Sequence, residues 1–253
     1  MKTIILAGGM GSRLGSITET IPKPMVMIGG KPIIWHIMKI YADYGHKDFI
    51  ISLGYKAEVI KEYFHNYRIL NNDFSVQLGS QETEILNEYN KINWKVSLID
   101  TGLHSLKGAR IKRLEQYLDD VNMFTYGDGV ADVDINKVLE YHKSHGKMVT
   151  ITGVKPPSRF GEIVENDGKL VSFEEKPQTS TGLINGGFAV FHKDFLQHLR
   201  EDEDCDLEYG PLGDLAQKGE VMVYRHEGQW ACVDTERDLN HLNKMWENQK
   251  AFW

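Results

Sequence analysis

The chain has little of what would build a disulfide scaffold, a membrane span or a nucleic-acid surface. It holds 2 cysteines. Cys205 and Cys232 lie far apart and show neither redox nor metal-ligand spacing, so a reducing, cytoplasmic setting is expected. No apolar run is long enough to span a bilayer. Met1 to Ala7 is apolar, but it runs into glycines without the h-region and small-residue cleavage site of a signal peptide. No linker rich in proline or serine divides the chain, and no repeat or low-complexity tract is present. Basic excess is also missing. The net charge of −7 disfavours nonspecific nucleic-acid binding, because phosphate backbones need basic surfaces. It leaves room for a single nucleotide held by a few local cations.

What is present is an alternation of short apolar runs with amphipathic ones. The 253 residues are 41% hydrophobic, enough for a sizeable core. Thr3–Ala7, Phe49–Leu53, 94–99, Val121–Tyr126 and 147–154 read as strands. Residues 32–44 place Ile33, Ile34, Ile37, Ile40 and Tyr41 at helical spacing, with Pro32 at the start and Gly45 at the end. Residues 56–65, 108–119 and 135–145 also read as helices. This alternation predicts an α/β fold with a mostly parallel central sheet flanked by helices. After residue 155 the rhythm changes. Asn166-Asp167-Gly168 signals a hairpin. Strands are expected at 183–191, 220–225 and 229–233, and helices at 193–200, 207–218 and 235–247. Residues 66–93 have no period and read as a long loop or insertion. The whole of 1–253 reads as one domain.

Three places carry chemistry. The first is Leu6-Ala7-Gly8-Gly9-Met10-Gly11-Ser12-Arg13, after a buried strand and followed by Pro22-Lys23-Pro24. Glycines there let a backbone approach a ligand and turn N–H groups toward phosphate oxygens. A Walker A loop would need Lys-Ser/Thr after its last glycine. A dinucleotide fingerprint would need a small residue at Leu14 and an acid near Leu53-Gly54-Tyr55. Neither fits. The cradle with Arg13 and Lys23 suits a triphosphate; a tight turn with two surface cations is the alternative. The second place is a pair of acids, Asp128 at the end of a strand and Asp234 before the last helix. Together they suit one Mg2+ shared with phosphates. The alternatives are a turn role for Asp128 and helix capping for Asp234. The third is Glu174-Glu175-Lys176-Pro177 with Ile184-Asn185-Gly186-Gly187. These suit a phosphorylated sugar or, alternatively, form charged and glycine turns. His142 and His145 read as an exposed helix face, and Asp132-Val133-Asp134 as a helix entry.

LAGGMGSRL with PKPM resembles the signature of the sugar-1-phosphate nucleotidyltransferases, with Ser12 in place of the usual threonine. Segments along nearly the whole chain are similar, more specifically, to the glucose-1-phosphate cytidylyltransferases. Among them are Lys31 to Lys39, Ile60 to Phe64, Asp100-Thr101-Gly102, Gly108 to Arg113, TYGDGVAD at 125–132 and Pro156 to Gly161. The resemblance implies a Rossmann-like fold with a small β-rich sugar-binding part in the C-terminal half. It implies CTP and glucose 1-phosphate as substrates, CDP-glucose and pyrophosphate as products, and Mg2+ on Asp128 and Asp234. Arg13 and Lys23 would be catalytic. Leu6, Ala7, Gly8, Gly9, Gly11, Ser12, Thr101, Gly102, Arg110 and Asp128 would complete the nucleotide site. Tyr126, Gly161, Glu175, Lys176 and Asn185 would take the sugar phosphate. Nucleotide binding would fall mainly in 1–155, and sugar-phosphate binding with the C-terminal helix in 156–253. Homo-oligomers are expected, with exposed positions in 63–94 as the interface. A place early in making dideoxy sugars for bacterial surface polysaccharide is also implied. Two departures stand out: Gly108-Ala109-Arg110 where the family has GGR, and Gln229 to Thr235 where it has FWQPMDT. The second puts the identity of the acceptor in question more than the reaction.

Overall fold

Thr3–Leu6 is buried at every position and is the hub of the sheet. The computed structural model describes residues 1–89, 91–156, 162–166, 169–174 and 182–253. On one side of the hub runs Asp48–Leu53, then Lys95–Asp100; on the other runs Val121–Tyr126. All four are parallel. Beyond Val121–Tyr126 comes the antiparallel Ala189–His192, then Val149–Val154 and Val221–Arg225, which are parallel to each other. Ile184–Asn185 also pairs with Val149–Val154, antiparallel to it. The expectation of a mostly parallel sheet flanked by helices therefore holds.

The hub strand is apolar on both faces because helices cover both. Successive side chains point to opposite faces. Ile5 joins the core formed with the helix Ile33–Asp43, while Ile4 and Leu6 join the core shared with Ala109 and Ile111. Ile33, Ile34, Ile37 and Met38 are wholly buried. Each such side chain contributes about 1.5–3 kcal/mol relative to exposure. The order of the strands also creates the site. From the hub the chain moves outward through Asp48–Leu53 to Lys95–Asp100, then returns to the hub's other side as Val121–Tyr126. Such a reversal opens a crevice at the carboxyl ends of the two central strands.

Several expected elements differ. Residues 66–93 are not a structureless loop. They hold a short helix, Tyr67–Leu70, and a hairpin pairing Asp73–Gln77 with Glu82–Asn87. Nearly every hairpin residue is exposed, and the short alternation of Phe74, Val76 and Leu78 is hidden in an Asn- and Glu-rich stretch. The strand expected at 183–191 is two pieces, Ile184–Asn185 and Ala189–His192, separated where Gly187 and Phe188 have positive φ. The helix expected at 207–218 opens with an irregular turn, Glu208–Leu212, before Gly213–Gln217. The helix expected at 108–119 is Lys107–Lys112 with a later 3-10 turn. The helix expected at 193–200 is a 3-10 run, Lys193–His198. The strands Glu162–Asn166 and Lys169–Glu174 pair antiparallel, with residues 167–168 between them outside the described residues. His142 is buried rather than exposed. Its Nδ1 and the Nε2 of His145 meet the Thr150 hydroxyl at 2.9 and 2.8 Å. Burial, then the neighbouring His145, pushes His142 down to about 4, so it sits in the fold as a neutral ring. No helix among the described residues is long and apolar enough to cross a membrane.

Candidate active site

The glycine loop leaves the hub strand at the crevice and closes over a buried arginine. Arg110, 4% exposed, rises from the helix Lys107–Lys112. Its Nη1 donates to the carbonyls of Leu53 and Gly102 at 2.8 Å and to Thr101 Oγ1 at 2.9 Å. Its Nη2 donates to the Gly8 carbonyl at 3.0 Å and that of Leu103 at 3.3 Å. A Cβ on Gly8 would lie 2.1 Å from Nη1, so only glycine fits over this guanidinium. Gly11 adopts φ +64, and a Cβ there would lie 2.8 Å from Lys23 Cβ. The loop is thus shaped by the two cations beneath and beside it.

Lys23, only 8% exposed, lies in a 3-10 turn framed by Pro22 and Pro24. Its ammonium donates to Asp128 Oδ2 at 2.6 Å and to Asp234 Oδ1 at 2.7 Å. Arg13 Nη1 reaches the other oxygen of Asp234 at 2.8 Å. Burial opposes the charge of Lys23, but Asp128 and Asp234 outweigh it and hold its pKa above the ordinary lysine value. The two acids meet through a register that no local pattern reveals. Gly129–Ala131 pairs antiparallel with Trp230–Cys232, Gly129 opposite Cys232, and Val233 N donates to the Asp128 carbonyl at 2.9 Å. Asp234 does not cap the last helix by its side chain. Thr235 does so, in a capping box with Asp238. The Asp234 carboxylate therefore faces the cations. Asp134 caps Ile135–His145, and Asp132 Oδ1 meets His226 Nε2 at 2.8 Å, so the D-x-D pattern serves the scaffold.

A second cluster lines the same cleft. Tyr126 Oη donates to Glu208 Oε1 at 2.6 Å and accepts from Asn185 Nδ2 at 2.9 Å. Lys107 Nζ sits 2.5 Å from Glu208 Oε2 and 5.7 Å from the centre of the Tyr126 ring. Burial, reinforced by the charge of Glu208, drives the Tyr126 pKa upward, so the phenol keeps its proton.

The cleft has a volume of about 520 Å3, a size that accepts a small ligand. It brings together Leu6, Ala7, Gly8, Gly9, Gly11, Arg13 and Lys23 with Arg110, Tyr126, Asp128, Asn185 and Asp234. Ser12, Thr101 and Gly102 do not line it. Thr101, 1% exposed, instead donates to the Leu53 carbonyl at 2.8 Å, beneath the loop. Gly161, Glu175 and Lys176 lie outside the described residues. Sequence reasoning missed Lys107, Glu208, Trp230 and Cys232, all in the cleft wall. Only Trp230 and Cys232 had a signal, as part of the departing segment at 229–233.

The acids fit a metal in part. Two carboxylate oxygens already converge on one cation, the Lys23 ammonium. Magnesium is commonly held by one or two carboxylates plus substrate phosphates. No group of three or more His, Cys, Asp or Glu side chains gathers around a metal position among the described residues, so phosphate and water oxygens would complete the shell.

A sequence model of the family described as "Nucleotidyl transferase" matches residues 2–247. The chain belongs to that family. This nucleotidyltransferase is 46% identical to the glucose-1-phosphate cytidylyltransferase of Salmonella typhimurium, over 100% of its own length and 98% of the relative's. It is 31% identical to the mannose-1-phosphate guanyltransferase of Yarrowia lipolytica, over 94% of this chain and 62% of that one. The crystal structure of HddC from Yersinia pseudotuberculosis is similar with TM-score 0.68 and 25% identity, covering 97% of this chain and 99% of that one. The first two names differ in both base and sugar, so family membership alone does not fix either. Nucleotidyltransferases of this family use a divalent metal, which suits the acid pair.

Proposed function

We propose that the protein transfers the cytidylyl group of CTP to glucose 1-phosphate, giving CDP-glucose and pyrophosphate. The observation that carries this reading is the convergence of Arg13, Lys23, Asp128 and Asp234 at the mouth of the glycine loop. The full-length likeness to a glucose-1-phosphate cytidylyltransferase supports the choice of base and sugar. In this reading the loop from Leu6 to Ser12 receives the triphosphate with its backbone N–H groups. Arg13 and Lys23 turn from the aspartates to the phosphates and neutralise the charge that builds on departing pyrophosphate. Arg110 forms the floor of the nucleotide site, and Thr101 and Gly102 hold it from beneath. Tyr126, Asn185, Gly161, Glu175 and Lys176 take the sugar phosphate. The acceptor half thus falls mainly in 156–253.

A sugar phosphate is already an oxyanion near neutral pH. Its oxygen attacks the α-phosphorus in line and pyrophosphate leaves, so no protein base is needed. The residues act by positioning and charge neutralisation. Mg2+ held by Asp128 and Asp234 would supply Lewis-acid stabilisation of the phosphoryl charge. Association with further copies is part of the same reading. Phe74, Val76 and Leu78 alternate along the hairpin and are exposed, the kind of apolar surface that marks an interface. The free thiols of Cys205 and Cys232 suit the cytoplasm.

The test is pyrophosphate release with Mg2+, crossing CTP, UTP, dTTP and ATP against a panel of sugar 1-phosphates. Turnover mainly with CTP and glucose 1-phosphate is the expected result. CTP with another acceptor would move the substrate and implicate Trp230 and Cys232. No pyrophosphate with any pair would overturn the reading. A nucleotide-sugar glycosyltransferase would release no pyrophosphate, and Asp132 and Asp134 already have structural partners.

A further inference from the structure

We infer that Glu208 is a positioning residue for the sugar-phosphate acceptor, acting through Tyr126 and Asn185; this rests on the reading of Asn185 as an acceptor ligand. Glu208 lies in no sequence motif, yet its placement is costly. The backbone around it leaves helical geometry at Tyr209 (φ −88, ψ 81) and at Gly210 (φ 137, ψ −103), a conformation only glycine adopts readily. Asp206 Oδ1 holds the turn by accepting from Glu208 N at 2.8 Å and Tyr209 N at 3.2 Å. The result turns Tyr209 out to 91% exposure and Glu208 inward to the cleft. Glu208 Oε2 has no contact with solvent and is met by the Lys107 ammonium. The side chain as a whole is 30% exposed, so one carboxylate oxygen is turned away from water while the group stays at the cleft wall. A turn that needs glycine at 210 and a carboxylate aimed into the cleft together point to a role beyond stability.

The chemistry of the cluster gives that role a direction. A carboxylate only accepts hydrogen bonds. Tyr126, whose phenol keeps its proton, must therefore be the donor to Glu208 Oε1. The Tyr126 oxygen is then left to accept, and it accepts from the amide nitrogen of Asn185. The amide oxygen of Asn185 accepts from Gly187 N at 3.1 Å. Both ends of the amide are thus fixed, and among the described residues none takes its second N–H. Glu208 sets the polarity of this relay from one end. Lys107 stands at that same end with two further N–H donors. An acceptor rich in hydroxyls and carrying a phosphate is the ligand such a wall of donors recognises. The relay touches neither Lys23 nor the acid pair through any of its described hydrogen bonds, so its influence falls on the acceptor and spares the triphosphate.

The experiment is steady-state pyrophosphate release by the full chain, with CTP and glucose 1-phosphate varied separately. Glu208→Gln replaces an acceptor-only carboxylate by an amide that can also donate. Tyr126→Phe deletes the relay's hydroxyl and leaves Glu208 in place. Each variant is expected to raise KM for glucose 1-phosphate by about ten-fold, the scale of one net hydrogen bond. KM for CTP should stay within about two-fold, since the loop side is untouched. The double variant should be no worse than the poorer single, because both break one chain. Additive losses, an unchanged KM for the sugar phosphate, or equal rises in both KM values would overturn the inference. Should Glu208→Gln fail to fold, Tyr126→Phe still decides it by the same split. Inactivity of the unmodified protein with every sugar phosphate sinks the functional reading as well. Normal wild-type turnover with unaffected variants sinks this inference alone.

Discussion

Two buried cations flank the same glycine loop, and their partners could hardly differ more. Lys23 donates to two carboxylates. Arg110 donates to four carbonyls and a hydroxyl, and no carboxylate lies within ion-pairing distance of it among the described residues. The two pKa values shift in opposite directions accordingly. For Lys23 the paired acids overcome burial and raise it. For Arg110 burial leads and lowers it, though an arginine still keeps its proton. The charge of Lys23 is therefore neutralised in place, and Lys23 must let go of its acids to meet phosphate. The charge of Arg110 is only dipole-solvated and acts as a fixed positive source under the loop. One cation is set up to exchange partners, the other to hold the loop.

The largest expected effect breaks the first half of that contrast. Lys23→Met should lower turnover by about 10^3-fold, the scale of losing a charge that stabilises a transition state. It also leaves Asp128 and Asp234 without their shared cation. Mg2+ without nucleotide should then raise the melting temperature of the variant by roughly 3 °C more than that of the wild type. An equal Mg2+ response in the two proteins would mean that lysine and metal do not share the acids.

Next comes Arg110→Met, which should cost about 3 kcal/mol in denaturant unfolding, because several buried acceptors lose a charged donor at once. Mg2+ should not restore it. A loss near that of a surface substitution would show that the loop does not depend on the guanidinium.

How these roles were hidden or visible in the sequence follows from the range of the contacts. The hub strand, the helix Ile33–Asp43 and the glycine loop are written in local order: a β-branched apolar run, a helical period after Pro32, glycines at the strand end. Arg13 and Lys23 could be read as a pair from the same stretch. The acid pair could be proposed only one residue at a time, because the pairing of Gly129–Ala131 with Trp230–Cys232 joins segments about a hundred residues apart in sequence. Arg110 read as a nucleotide ligand or as part of a basic helix face. Its burial beneath Gly8 depends on packing that no spacing encodes. Glu208 was invisible for a related reason. The turn at Gly210 aims it, and the local pattern reads as ordinary helix.

Cys232 offers a finer probe of which cation sits on the acids. Burial first, then Asp128 and Asp234, push its thiol up to about 12, while Lys23 pulls the other way. An acid with a raised pKa stays protonated, and only the thiolate is alkylated. In a Cys205→Ser background, the alkylation rate should climb about ten-fold per pH unit from pH 8 to 10 without levelling, whereas an ordinary cysteine levels off near its pKa of about 8.5. Lys23→Met should slow the reaction further at every pH. Faster alkylation in that variant would mean that the lysine charge is not felt at the thiol.

The smallest effect concerns the residue that keeps Asp234 available. Thr235 occupies the cap of Glu236–Glu247 and reciprocates with Asp238. Thr235→Ala should cost about 1 kcal/mol, the usual worth of such a cap. The vacancy would also invite the neighbouring Asp234 to turn toward the helix N-terminus, where a carboxylate is favoured. That move would draw it from Lys23 and Arg13, so turnover should fall together with stability, and Thr235→Ser should restore both. Lost turnover at full stability would instead make Thr235 a ligand of the substrate, and the cap would no longer explain why this aspartate, one residue before the helix cap, turns its carboxylate to the cations.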